Sequence, residues 1–85
     1  MSKECTLYAL STCIHCKKMK IFLEDHDVNF DNIFVDKLRG DERKDIIDRI
    51  RNYNPKLSFP TLVVSEGKCI IVGFHKDQIE EALDL

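Results

Sequence analysis

The stretch Thr6-Leu7-Tyr8-Ala9-Leu10-Ser11-Thr12-Cys13-Ile14-His15-Cys16-Lys17-Lys18-Met19-Lys20-Ile21-Phe22-Leu23-Glu24 changes its period in the middle. From Cys5 to Leu10 it is a short apolar run rich in strand formers, the pattern of a strand covered on both faces, as in parallel sheets. From Cys13 to about Asp25 good helix formers take over. Cys16, Met19, Leu23 and His26 recur at three- and four-residue steps and mark an inward face, and His26 also reads as standing at the helix's C-terminal end, where a cation is favoured. Lys17, Lys18, Lys20 and Glu24 fill the outer face, and Thr12 is the expected N-cap. Two thiols, Cys13 and Cys16, therefore stand where a strand hands over to a helix.

Outward from this stretch, Asn29 to Val35 reads as a second strand, with Phe30, Ile33, Phe34 and Val35 supplying its β character. Strand, helix and strand at this spacing form a βαβ unit, which implies a parallel pair and a right-handed crossover. Gly40-Asp41 opens a second helix whose apolar stripe is Ile46, Ile47, Ile50 and Tyr53. Its mixed-sign charges read as a solvated face, with Asp41 and Glu42 suited to the positive helix start. Asn52 to Pro60 is a loop. Thr61 to Val64 and Cys69 to Val72 are strands joined by Ser65-Glu66-Gly67-Lys68, a short polar linker that reads as a hairpin. His75 to Leu83 forms a third helix with Ile79, Ala82 and Leu83 facing in. The expected architecture is α/β: a four-stranded mixed sheet in the order β-α-β-α-β-β-α, flanked by three helices.

The chain of 85 residues suits one domain, 1–85, with one small core. Its 44% apolar and 33% charged content is ordinary for a soluble globular protein, and a formal charge of −2 leaves no nucleic-acid footprint. No apolar run approaches a membrane span. Met1-Ser2-Lys3-Glu4-Cys5 has no apolar leader, so the expected location is the cytoplasm. The cysteines fall unevenly at 5, 13, 16 and 69, which fits a reducing compartment with one reactive pair better than a disulfide framework. Cys5 and Cys69 read as strand thiols packed as small hydrophobes. Nothing in the sequence requires more than a monomer.

The pair carries the chemistry. An unperturbed cysteine is only about 3% thiolate at neutral pH. Cys13 falls at the helix start, where unpaired N–H groups and the macrodipole favour an anion. Lys17 adds positive potential, and a partly charged His15 would do the same, although His15 can equally be a plain solvent-facing residue. Thr12 completes the turn. A stabilised thiolate is above all a better leaving group, so the mixed disulfide becomes labile. Cys16, one turn inside the helix, is expected to be shielded, to ionise close to an ordinary thiol and to resolve that mixed disulfide. A lone Cys-x-x-Cys also fits half of a zinc or iron–sulfur site. Cys69, His26 and His75 are scattered rather than spaced as a second ligand pair, which favours redox work over metal binding.

Taken together, Tyr8 to Cys16, Ser58-Phe59-Pro60-Thr61 and Val72-Gly73-Phe74 resemble the thioredoxin superfamily, and within it the glutaredoxins. The likeness runs over nearly the whole chain. It implies a thioredoxin-like fold, thiol–disulfide exchange, and a place in electron transport and cell redox homeostasis. It further implies Cys13 as nucleophile and Cys16 as resolver, with no bound cofactor. Sequence alone favours a trans bond at Pro60, whereas the resemblance implies a cis Phe59–Pro60 bond facing the thiols. The backbone of Phe59 would then pair with an extended substrate, and Gly73 and Phe74 would complete the binding rim. Phe74 and Tyr8 are also readable as simple packing. The expected partners are disulfide-containing proteins or small thiols. The chain departs from glutaredoxins at Ile14-His15 between the cysteines, at Leu10, and at Phe74-His75-Lys76, where glutathione's carboxylates would be gripped. Lys17, Lys56 and Lys76 are possible substitutes. Glutathione and a thioredoxin reductase both stand as reductants. The second would suit a dedicated electron donor like the redoxins that serve ribonucleotide reductase.

Overall fold

The computed structural model describes residues 4–84. The reading of Met1, Ser2 and Lys3 as leaderless lies outside them. The elements are β1 (Cys5–Ala9), α1 (Ile14–Asp25), β2 (Asp31–Phe34), α2 (Gly40–Tyr53), β3 (Thr61–Val64), β4 (Cys69–Val72) and α3 (Lys76–Leu83). The four strands form one sheet in the order β2-β1-β3-β4. β1 runs parallel to β2, with Tyr8 opposite Ile33, and antiparallel to β3, with Tyr8 opposite Thr61. β4 is antiparallel to β3, with Thr61 opposite Val72. This is the expected thioredoxin-like mixed sheet with three helices.

Strand alternation sorts the side chains into two layers. Cys5, Leu7, Ala9, Leu62, Val64 and Ile71 face α1 and α3, where they meet Cys16, Met19, Leu23 and Ile79. Tyr8 and Val63 face the other way, onto Ile50 of α2 and onto Val35. The central strands β1 and β3 are thus covered on both sides, which is why their sequences read as nearly continuous apolar runs.

Three local expectations are corrected. β2 is shorter than Asn29 to Val35, because Val35 leaves the ladder to start a turn of 3-10 helix over Val35–Lys37 and is buried beside Ile50. His26 does not belong to the inward face of α1. The helix ends at Asp25, so His26 falls out of phase as the exposed C-cap, its ring 4.3 Å from that of Phe22. The hairpin linker contains a 3-10 turn over Ser65–Gly67. Gly67 sits there at φ +102°, and a Cβ would lie 2.7 Å from Cε1 of Tyr53, so only glycine fits. Among the described residues no helix is long and apolar enough to cross a membrane.

Candidate active site

β1 ends at Ala9, and the chain turns at once: the Cys13 N–H donates to the Leu10 carbonyl at 3.2 Å. Cys13 is extended (φ −84°, ψ 120°), and its Sγ accepts a hydrogen bond from the Cys16 N–H at 3.3 Å. The Lys17 N–H then donates to the Cys13 carbonyl at 3.1 Å, opening α1. The N-cap is therefore Cys13 and not Thr12, because the helix begins one residue later than its sequence suggests, at Ile14. With no acidic residue in the first turn, the sulfur itself is the acceptor at the positive end of the helix. Thr12 is exposed in the turn, and His15 and Lys17 are exposed on the first turn of α1.

The two sulfurs differ in surroundings. Cys13 is half-buried, whereas Cys16 is 2% exposed and embedded in the core cluster with Met19 and Leu23. Burial, and after it a hydrogen bond to the Cys13 sulfur, push the Cys16 thiol up to about 12, and the charge of Cys13 acts in the same direction. This corrects the expectation of a nearly ordinary thiol. Cys16 is not merely one turn down the helix; it faces the middle of the apolar layer, where an anion is unfavourable.

Opposite lies the loop between α2 and β3. The Phe59–Pro60 peptide is cis, and Pro60 is buried. The Pro60 carbonyl accepts from the Gly73 N–H at 2.8 Å, which ties this loop to the end of β4. Gly73 sits at φ +87°, and a Cβ there would come within 3.1 Å of Nε2 of His75. Cys13, Phe59 and Phe74 all pack against the core cluster that contains Cys16, and the pairing of Tyr8 with Thr61 sets the proline loop beside the end of β1, where the thiol turn begins. Phe74 is half-buried, edge-on to Phe22 at 6.0 Å, with Nζ of Lys76 5.9 Å from its ring centroid. Lys17, Lys56 and Lys76 are exposed.

Two polar attachments went unrecognised in the sequence. The Ser11 N–H donates to Oδ1 of Asp36 at 3.0 Å and its hydroxyl donates to Oδ2, anchoring the thiol turn to the 3-10 turn after β2. Asn54 and Thr61, 5% and 0% exposed, bond to each other across the proline loop. Asn54-Pro55 after a helical pattern carried a turn signal, but nothing local pointed to its buried amide. Ser11 and Asp36 are 25 residues apart and carried no signal. Cys5 is buried and Cys69 half-buried, both against the α1–α3 side of the sheet. Among the described residues no three His, Cys, Asp or Glu side chains are grouped to hold a metal ion.

A family model described as Glutaredoxin matches residues 5–70. No curated protein matches the sequence. Among solved structures the chain is similar to the methanoredoxin of Methanosarcina acetivorans, with 41% identity, a TM-score of 0.91, and 96% of this chain and 85% of that one covered. It is similar to a glutaredoxin of Methanosarcina mazei at 38% identity and a TM-score of 0.89, over 100% of this chain and 84% of that one. It is also similar to a glutaredoxin of Archaeoglobus fulgidus at 34% identity and a TM-score of 0.86, over 94% and 85%.

Proposed function

The chain belongs to the glutaredoxin family of thiol–disulfide oxidoreductases, and we propose that it works as a dithiol carrier in which Cys13 attacks the substrate and Cys16 resolves. The observation that carries this reading is the contrast at the start of α1. Cys13 is partly accessible and capped by the Cys16 amide at 3.3 Å, while Cys16 is sealed and protonated. The Cys13 thiolate attacks one sulfur of a substrate disulfide. A mixed disulfide forms, the substrate S–S bond breaks, and the second substrate sulfur leaves as a thiolate. Cys16 then gives its proton to that thiolate and attacks Sγ of Cys13. The Cys13–Cys16 bond forms, the mixed disulfide breaks, and the remaining substrate sulfur departs and takes a proton from water. The substrate gains an electron pair and the chain loses one.

Thr12, His15 and Lys17 flank Cys13 along the chain, exposed in the turn and on the first turn of α1, and are the residues that set its reactivity. Phe59 supplies the pairing edge for an extended substrate, Pro60 closes that edge against the thiols, and Gly73 and Phe74 form its rim. Residues 1–85 act as one domain, in a reducing compartment such as the cytoplasm, on disulfides of proteins or of small thiols. Electrons return from glutathione or from a thioredoxin reductase. Reducing the oxidised protein with each, side by side, assigns the donor. Exclusive reduction by the reductase would favour the dedicated-donor reading, which the chain's departures at Leu10 and Phe74-His75-Lys76 support. Cys13→Ser should abolish disulfide reduction, and Cys16→Ser should accumulate mixed disulfides detectable by mass spectrometry. Retained turnover in Cys13→Ser would refute the assignment of roles.

A further inference from the structure

Asn54 closes α2 and opens the loop that carries Phe59 and Pro60. Its backbone N–H donates to the Ile50 carbonyl at 2.6 Å, and its carbonyl accepts from the Leu57 N–H at 2.9 Å. Its side chain is equally occupied. Oδ1 accepts from the Lys56 N–H at 3.3 Å, and Nδ2 donates to the Ser58 carbonyl and to Oγ1 of Thr61, both at 3.2 Å. The amide orientation is unambiguous, because the Lys56 N–H can only donate and the Ser58 carbonyl can only accept. Oγ1 of Thr61 in turn donates a hydrogen bond to the same Ser58 carbonyl at 2.6 Å. The carbonyl just before Phe59 is thus held from two sides, by a helix end and by the first residue of a central strand. Among the described residues no hydrogen bond engages the backbone N–H or carbonyl of Phe59 itself.

Buried polar side chains persist where every donor and acceptor is used, and such networks fix one conformation. A serine could not donate twice, and an aspartate could not donate at all. We infer that Asn54 is a positioning residue for disulfide substrates. It touches neither thiol nor substrate, and it presents the Phe59 backbone in the one orientation that pairs with an extended chain. The inference rests on the reading that Phe59 pairs with substrate.

The test is a single-turnover transfer from prereduced protein to two oxidants: an extended peptide disulfide, and a small aromatic disulfide with no peptide backbone. For Asn54→Ala the half-saturating peptide concentration should rise about tenfold, the scale of losing roughly one hydrogen bond's worth of order. The limiting rate should hold within about twofold, as when uniform binding is lost. Transfer to the small disulfide and alkylation of Cys13 by iodoacetamide should also stay within about twofold of wild type. Thr61→Val removes one strut of the network with an apolar side chain that suits a buried strand. It should show the same split, and it keeps the test available if Asn54→Ala does not fold. A variant that loses both oxidants in proportion, or one that loses neither, overturns the role of Asn54. A wild-type protein that saturates with neither oxidant, or shows no preference for the peptide, overturns the Phe59 reading and this inference with it.

Discussion

Cys16 keeps its proton chiefly because it is buried, and that choice has a pH signature. Below the ordinary thiol value of 9.0 the folded and unfolded chains both hold the Cys16 proton, so its contribution to the reduced fold is complete. Between 9.0 and about 12 the unfolded chain releases the proton and the folded chain retains it, so stability falls as pH rises. Tyrosines and lysines titrate in the same window, but they do so equally in a Cys16→Ser variant. The stability gap between reduced wild type and Cys16→Ser, measured by chemical denaturation, should therefore narrow from pH 9 to 12. A flat gap would show that the folded chain ionises Cys16 as readily as the unfolded one. The placement of Cys13 and Cys16 at the start of α1, with Cys16 turned inward, was legible in their spacing and in the change of period around them. Where the proton sits was not, because it depends on the apolar cluster, Leu7 and Ile79 among its members, that only the fold gathers around the inward face of α1.

The start of α1 is held by more than its own amides. Ser11 binds the Asp36 carboxylate through both its N–H and its hydroxyl, and these bonds, the hydroxyl first, favour the charged form and hold the pKa of Asp36 below its usual 3.8. A carboxylate so depressed contributes above its unfolded value and loses that contribution as pH falls through the folded one. The amide of Ser11 should accordingly be protected from hydrogen exchange near neutrality and lose protection only on acidification below 3.8. Asp36→Ala should remove that protection at every pH. Protection in the variant equal to wild type would mean that the turn needs no such anchor. Helix existence was readable from apolar spacing in all three helices, but helix ends were not. Thr12 and Cys13 are both plausible caps, and only the extended ψ of Cys13 and the reach of its sulfur to the Cys16 amide decide between them.

The molecule as a whole is organised by β1 and β3, whose alternating side chains feed both helical layers. Leu62, wholly buried in β3, faces the layer that holds Cys16. Leu62→Ala should destabilise the fold by about 2–5 kcal/mol, as for other buried leucines cut to alanine, in urea or thermal unfolding. A loss below about 1 kcal/mol would be typical of a surface site instead and would contradict that placement. The sheet was legible because strand formers cluster between turn residues, and because a βαβ unit followed by a hairpin leaves few topologies. The clasp across the proline loop was not, since Asn54 reads as a surface turn residue until Thr61 is brought beside it. One consequence follows from the two-layer plan. Cys13, Cys16 and Phe74 lie with the α1 and α3 layer, while α2 covers the reverse of the sheet with an outer face of exposed charges. That reverse is a natural handle: a dye, a surface tether or a fused carrier joined through Lys44 or Arg51 would leave the business end of the molecule unobstructed.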